Sequence, residues 1–171
     1  MTYIIIEGTD ANFKSTVAEK LSKELNVPIL KGSSFELSQC NNEELFGHFK
    51  EFSQVDNVIF DRFIYSNRVY ATLYKDYAIL TDKQRKEIED LIKHKALLVY
   101  LHADTEVIKT RITERGDEYV DVSMVDKINK LYTPTILESK LKAVSYDTNE
   151  WDSSSIAEDI IKYLYDEQDN K

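Results

Sequence analysis

The sequence predicts an α/β fold of three layers, in which a parallel sheet of about five strands is flanked by helices. Three observations carry this prediction. Continuous apolar runs at Ile4-Ile5-Ile6, Val58-Ile59-Phe60 and Ala96 to Leu101 suit strands buried on both faces of a parallel sheet. Stretches with apolar residues at helical spacing alternate with those runs, as an α/β sheet requires. Directly after the first run comes Glu7-Gly8-Thr9-Asp10-Ala11-Asn12-Phe13-Lys14-Ser15-Thr16, a polar loop that joins a strand to a helix.

That loop reads as a phosphate-binding P-loop. Its backbone N–H groups and the following helix N-terminus can face a polyphosphate, Lys14 can reach the β and γ phosphates, and Ser15 can ligate Mg²⁺. Phe13 stands where the G-x-x-x-x-G-K-[ST] pattern has its second glycine. An ordinary turn containing Gly, Lys and Ser is the alternative, but Val17, Ala18, Leu21 and Leu25 supply the helix that the motif needs. The fold class is accordingly of the P-loop NTPase type.

The next strand falls at Val27-Pro28-Ile29-Leu30, where Pro28 favours an edge. The turn Lys31-Gly32-Ser33-Ser34-Phe35-Glu36 follows it and would lie near the first loop if strand ends share one side of the sheet. It reads equally well as an uninvolved connection. Asn41 with Glu44 forms a helix cap and its partner, and Leu45, Phe46, Phe49 and Phe52 trace one apolar face. Those aromatics read as core, with a base pocket the lesser alternative for Phe46 or Phe49.

Val58-Ile59-Phe60 delivers Asp61 and Arg62 at its carboxyl end. An Asp there can hold Mg²⁺ directly or through water, and the adjacent Arg can clamp a phosphate with its fork of donors. A surface salt bridge is the other reading. A helix over Ser66 to Tyr74 comes next, then a capping box at Thr81 and Gln84 opening a helix with Ile88, Leu91 and Ile92 on its buried stripe. After the strand ending at Leu101, His102 reads as structural or solvent-facing. Asp104 starts a helix that ends near Arg115-Gly116, where Gly is a natural cap.

Arg111 and Arg115 lie one turn apart on that helix. They read either as partners of Glu114, Asp117 or Glu118, or as a mobile clamp stabilising charge on transferring phosphates. A further helix carries Met124, Val125, Ile128 and Leu131 and is expected to break at Pro134. Lys142 to Tyr146 is the last strand, followed by Asp147-Thr148-Asn149 and a closing helix with Ile156, Ile160, Ile161 and Leu164. The polar end 166–171 is expected to fray.

Composition narrows the function classes. The 171 residues fit one domain with a real core, and the net charge of -9 argues against polymeric nucleic acid as a partner. Cys40 is the only cysteine, so an intramolecular disulfide is excluded, and a reducing, cytoplasmic setting is expected. The apolar residues before Glu7 fall far short of a membrane span or a signal-peptide core.

With these parts assembled, the chain resembles the thymidylate kinase-like branch of P-loop nucleoside and nucleotide kinases, and phage-type deoxynucleoside monophosphate kinases most closely. The resemblance runs along nearly the whole chain as a single nucleotide kinase domain, 1–171. It rests on Glu7-Gly8-Thr9-Asp10 with Lys14-Ser15-Thr16, on Asp61-Arg62-Phe63-Ile64-Tyr65-Ser66 continuing to Val69-Tyr70, and on Arg111 to Glu118.

It implies an ATP site at Gly8, Thr9, Asn12, Phe13, Lys14, Ser15 and Thr16, and Mg²⁺ held by Ser15 and Asp61. It implies acceptor contacts from Asp10, Phe35, Arg62 and Tyr70, and catalytic roles for Lys14, Arg62, Arg111 and Arg115, the last two on a lid at about 111–121. Asp147 to Glu150 falls where such kinases form an adenine loop, and a homodimer is implied as well.

The departures are Phe13, the Lys31 to Glu36 turn in place of an Arg- or Glu-Pro-containing segment, and a short region from Phe35 to Asp61. Phe35 is the candidate base stacker. The activity expected is transfer of the ATP γ-phosphoryl group to a deoxynucleoside monophosphate, with a pyrimidine base. The rivals are a deoxynucleoside kinase, with Glu36 as a possible carboxylate base, although Asp10 in the P-loop tilts the resemblance towards monophosphate kinases, and a non-catalytic nucleotide-binding protein.

Overall fold

The computed structural model describes residues 2–116 and 121–169. The expected lid at about 111–121 therefore falls partly outside the described residues, as do Asp117 and Glu118. Five strands form one parallel sheet: β1 Tyr3–Glu7, β2 Ile29–Lys31, β3 Val58–Asp61, β4 Leu97–His102 and β5 Lys142–Asp147, in the spatial order β2-β3-β1-β4-β5. The three apolar runs are the three central strands, and β2 with its preceding Pro28 is an edge.

Alternation along those strands divides the core between the two faces. Ile4, Ile6, Ile59, Val99 and Leu101 pack with Val17, Ala18 and Leu21 of helix α1 (Lys14–Leu25) and with Ile156 and Ile160 of helix α8 (Ser153–Asp169). Tyr3, Ile5, Phe60, Leu98 and Tyr100 face the other way. They pack among helices α3 (Asn42–Gln54), α4 (Ile64–Leu73), α5 (Asp82–Ile92) and α7 (Val125–Leu137). Phe49 is fully buried there, so it and the partly buried Phe46 belong to the core.

Local signals gave several of these boundaries. Asn41 and Thr81 each open their helix with both bonds of a capping box, to Glu44 and Gln84. Gly116, left-handed at φ 67, ends helix α6 (Thr105–Arg115). Two expectations fail. Helix α4 begins at Ile64 rather than Ser66, because a distant carboxylate described below accepts its first N–H groups. Helix α7 runs through Pro134 to Leu137 instead of breaking. Burial of Tyr132, Thr135 and Ile136 in the core outweighs the bond that proline removes, and Thr135 Oγ1 donates to the Leu131 carbonyl within that turn. Of the polar end, residues 166–169 belong to helix α8 and 170–171 lie outside the described residues.

Candidate active site

All five strands end on the same side, so Glu7, Lys31, Asp61, His102 and Asp147 converge there. The P-loop begins with a turn that only glycine permits. Gly8 has φ 146, and a Cβ on it would lie 2.2 Å from the Leu101 carbonyl oxygen. Ala11 (φ 58) and Phe13 (φ 63) also take the left-handed region. Phe13 thus occupies the conformation that a glycine would adopt freely, at a cost of about 1–2 kcal/mol for a residue with a Cβ.

Lys14 is buried within the loop and donates to the Thr9 carbonyl at 2.6 Å. Burial, and then the charge of Arg62, push its ammonium down to about 7, against the pull of Asp10, Asp61 and Glu7. Asn12 donates to Thr9 Oγ1 at 2.6 Å and its amide oxygen accepts from Thr148 at 2.8 Å. A cavity of about 470 Å³ lies over the loop, lined by Asp10 to Thr16 with Arg111, Glu114 and Arg115.

Ser15 Oγ donates to Asp61 Oδ2 at 3.3 Å, while Asp61 Oδ1 is buried with no hydrogen-bond partner. An orphaned carboxylate oxygen is costly unless a cation or donor completes it. A serine hydroxyl and one carboxylate suit Mg²⁺, which keeps several waters and takes its remaining ligands from substrate phosphates. No cluster of three or more His, Cys, Asp or Glu exists among the described residues, so the donor set fits that ion and not an all-protein cage. Ser15 and Asp61 are thus brought together as expected from the sequence.

Arg62 stands at φ 66 directly after β3. The β2 turn lies close against it: a Cβ on Gly32 would come within 2.3 Å of the Arg62 carbonyl oxygen. Its Nη2 donates to Asp10 at 2.8 Å, and its Nη1 is directed at the Gly8 carbonyl (3.3 Å), the Tyr70 hydroxyl (3.2 Å) and the Tyr132 hydroxyl (3.0 Å). Burial opposes ionisation of Asp10, yet Arg62 and then Lys14 hold its carboxyl below the usual carboxylate range, helped by Arg115.

A second cavity of about 400 Å³ is lined by Asp10, Ser33, Ser34, Phe35, Arg62, Asn67, Tyr70 and Tyr77. Asp10 borders both cavities. Phe35 is exposed at the rim, edge-on to Tyr77 at 6.2 Å. Glu36 is solvent-exposed and does not line either cavity.

Sequence reasoning missed Tyr132, met Glu7 only as the first residue of the loop motif, and met Thr148 only as part of the expected adenine loop. The fully buried Glu7 carboxylate accepts from the Phe63 N–H (2.7 Å), from the Ser66 N–H (3.1 Å) and from Ser66 Oγ. It caps α4 from 59 residues away in the chain, and burial raises its pKa. Tyr132 was legible only as one more large residue on the stripe of Ile128, although a buried tyrosine hydroxyl wants a partner. Arg111 departs from the expected free clamp. Its guanidinium donates to Thr148 Oγ1 and to the Thr148 carbonyl, both at 2.8 Å, and to the Ala11 carbonyl at 3.3 Å. Arg115 is exposed and has no hydrogen bond or ion pair among the described residues.

A strand-loop-helix of P-loop shape, with Ser15 and Asp61 beside it and a second polar cavity next to it, is the arrangement expected of a P-loop kinase that phosphorylates nucleotides or nucleosides. The chain belongs to the deoxynucleoside kinase family, whose family model matches residues 33–167. It is 56% identical over 161 residues to the SPbeta prophage-derived uncharacterized protein YorR of Bacillus subtilis (strain 168), across 94% of this chain and 98% of that one. The crystal structure of YorR from Bacillus subtilis in complex with phosphorylated GDP matches with TM-score 0.93 and 54% identity, covering 98% of each chain. A deoxyadenosine kinase from M. mycoides shares the fold at 21% identity and TM-score 0.64, over 96% of this chain and 99% of that one. These comparisons support a P-loop kinase without singling out the thymidylate kinase-like branch. No described helix is long and apolar enough to cross a membrane.

Proposed function

We propose that this protein transfers the γ-phosphoryl group of ATP to a hydroxyl of a deoxynucleoside. The observation that carries the choice of acceptor is the Asp10 carboxylate, held by Arg62 at 2.8 Å on the border of both cavities. The second cavity is lined by one cation, Arg62, and one anion, Asp10. An entering phosphate dianion would meet that carboxylate, and it would find Arg62 Nη1 already directed at three oxygens. An entering hydroxyl would find an acceptor for its proton.

In this reading the backbone N–H groups of the P-loop and Lys14 bind the donor phosphates, and Ser15 and Asp61 hold Mg²⁺. When bound, that ion neutralises charge on the β and γ oxygens. Asp10 orients the acceptor hydroxyl and takes its proton as the oxygen bonds to the γ-phosphorus and the bond to the β–γ bridging oxygen breaks, releasing ADP. Arg62 fixes Asp10, and Arg115 offers its charge over the transferring group. Phe35, Tyr70 and Tyr77 supply the apolar walls for sugar and base.

The monophosphate acceptor is the second reading, favoured by Arg62, whose planar fork of donors lines the acceptor cavity. A coupled ADP-release assay over deoxynucleosides and their monophosphates separates the two. Guanine compounds belong in the panel because YorR was crystallised with phosphorylated GDP. Higher kcat/KM for a deoxynucleoside than for its monophosphate is expected; the reverse order assigns Arg62 to an acceptor phosphate and removes Asp10 as the base.

A further inference from the structure

The P-loop lacks its second glycine, yet it adopts the shape that a glycine would allow. Phe13 holds φ 63 and ψ 13, a conformation that persists in a bulky residue only when its surroundings enforce it. Those surroundings come from far along the chain. The Arg111 guanidinium lies over the Phe13 ring at 4.6 Å. Thr148 accepts twice from Arg111, through its hydroxyl and its carbonyl. The same hydroxyl donates to Asn12 Oδ1 at 2.8 Å. A closed circuit results, running from the Phe13 ring through Arg111 and Thr148 to Asn12 and back along the backbone to Phe13. A further bond from Arg111 to the Ala11 carbonyl ties in the residue before Asn12.

We infer that Phe13 and Arg111 form a positioning pair that sets the donor-binding shape of the P-loop, and that Arg111 acts through this stack instead of contacting the transferring phosphates. The planar guanidinium is suited to the task, since it can stack on a ring while bonding two acceptors in its plane. The pair ties helix α6 and the segment after β5 to the loop, so the approach of the donor depends on two distant segments. Arg115, one turn on and exposed to the same cavity, is left as the arginine that can meet phosphate.

The inference rests on the donor-site reading above, and direct binding separates the two. Titration of a fluorescent ATP analogue with Mg²⁺ requires no acceptor. Phe13→Leu and Arg111→Lys are each expected to weaken binding about tenfold. Their combination should be no weaker than either alone, because each breaks the same contact. Phe13→Tyr should keep the affinity within about twofold of the parent, and Arg115→Ala should lower kcat more than it changes binding. Thermal melting identifies any variant that fails to fold, and Phe13→Tyr and Arg111→Lys are the mildest of the set. Additive losses in the double variant, or full affinity in Phe13→Leu, would overturn the pairing while leaving the donor site intact. Failure of the parent protein to bind the analogue at all would instead remove the donor-site reading, and this inference with it.

Discussion

If Lys14 binds the donor phosphates as proposed, donor binding is a proton-linked event. Its ammonium is pushed down to about 7 by burial and by Arg62. A polyphosphate lying against it restores the ordinary value, because opposite charge favours the charged form. At pH 8 a group with a pKa near 7 is about 9% protonated, so binding should take up about 0.9 proton per nucleotide. At pH 7 the uptake should be about 0.5, and at pH 6 about 0.1. The affinity for Mg–ATP tracks the protonated fraction and should fall on the order of fiftyfold between pH 7 and pH 9.

Calorimetric titration at pH 8, in two buffers of different ionisation enthalpy, reads the uptake directly. Lys14→Met, which cannot take a proton, should bind weakly and without the linkage. Equal heats in both buffers, with an affinity constant from pH 7 to pH 9, would refute the reasoning. The same shift bears on folding. Between pH 7 and the ordinary lysine range the unfolded chain binds the proton that the native one has released, so this group's contribution to stability rises with pH across that window.

Asp61→Asn should raise the Mg²⁺ concentration for half-maximal activity by about tenfold with little change in Tm, since it weakens the cation site without opening the core; an unchanged Mg²⁺ dependence would remove Asp61 from that site. Tyr132→Phe deletes a hydroxyl that lies beside Arg62, Ser66 and Glu7. It should cost about 1–3 kcal/mol in denaturant unfolding and raise KM for the acceptor more than KM for ATP. Equal effects on the two KM values would mean that the hydroxyl serves only the core.

The parts of this protein that could be read from its sequence are those whose cause is local. A β-branched run makes β1, an Asn and a Glu three residues apart make the cap of α3, and a glycine in the left-handed region ends α6. The alternation of apolar runs with helical spacing was enough for a five-stranded parallel sheet. That sheet in turn brings the P-loop and Asp61 together, because both follow strands that are neighbours in it. Where the cause is distant, the local rule misleads. Pro134 predicts a break, but the helix around it is held by side chains packed into the core. The start of α4 is set by Glu7, which no pattern within residues 60–66 records.

Phe13 is the sharpest case of a distant cause. Considered alone, it suggests either a residue with negative φ or a strained loop. Only Arg111 and Thr148, about a hundred residues or more further along, account for how the positive φ is maintained. On the inference above, the same two residues give Arg111, grouped with Arg115 by spacing on one helix, a different task. Helical periodicity places both arginines near the donor cavity, but it does not determine which hydrogen-bond acceptors each will meet. The carbonyl and hydroxyl of Thr148 accept from Arg111, whereas Arg115 makes no hydrogen bond or ion pair among the described residues. An arginine already satisfied by protein acceptors gains little by turning to phosphate, because it would exchange bonds it already has. An exposed one gains the full interaction as charge develops. The division of labour between the two arginines therefore follows from what surrounds them.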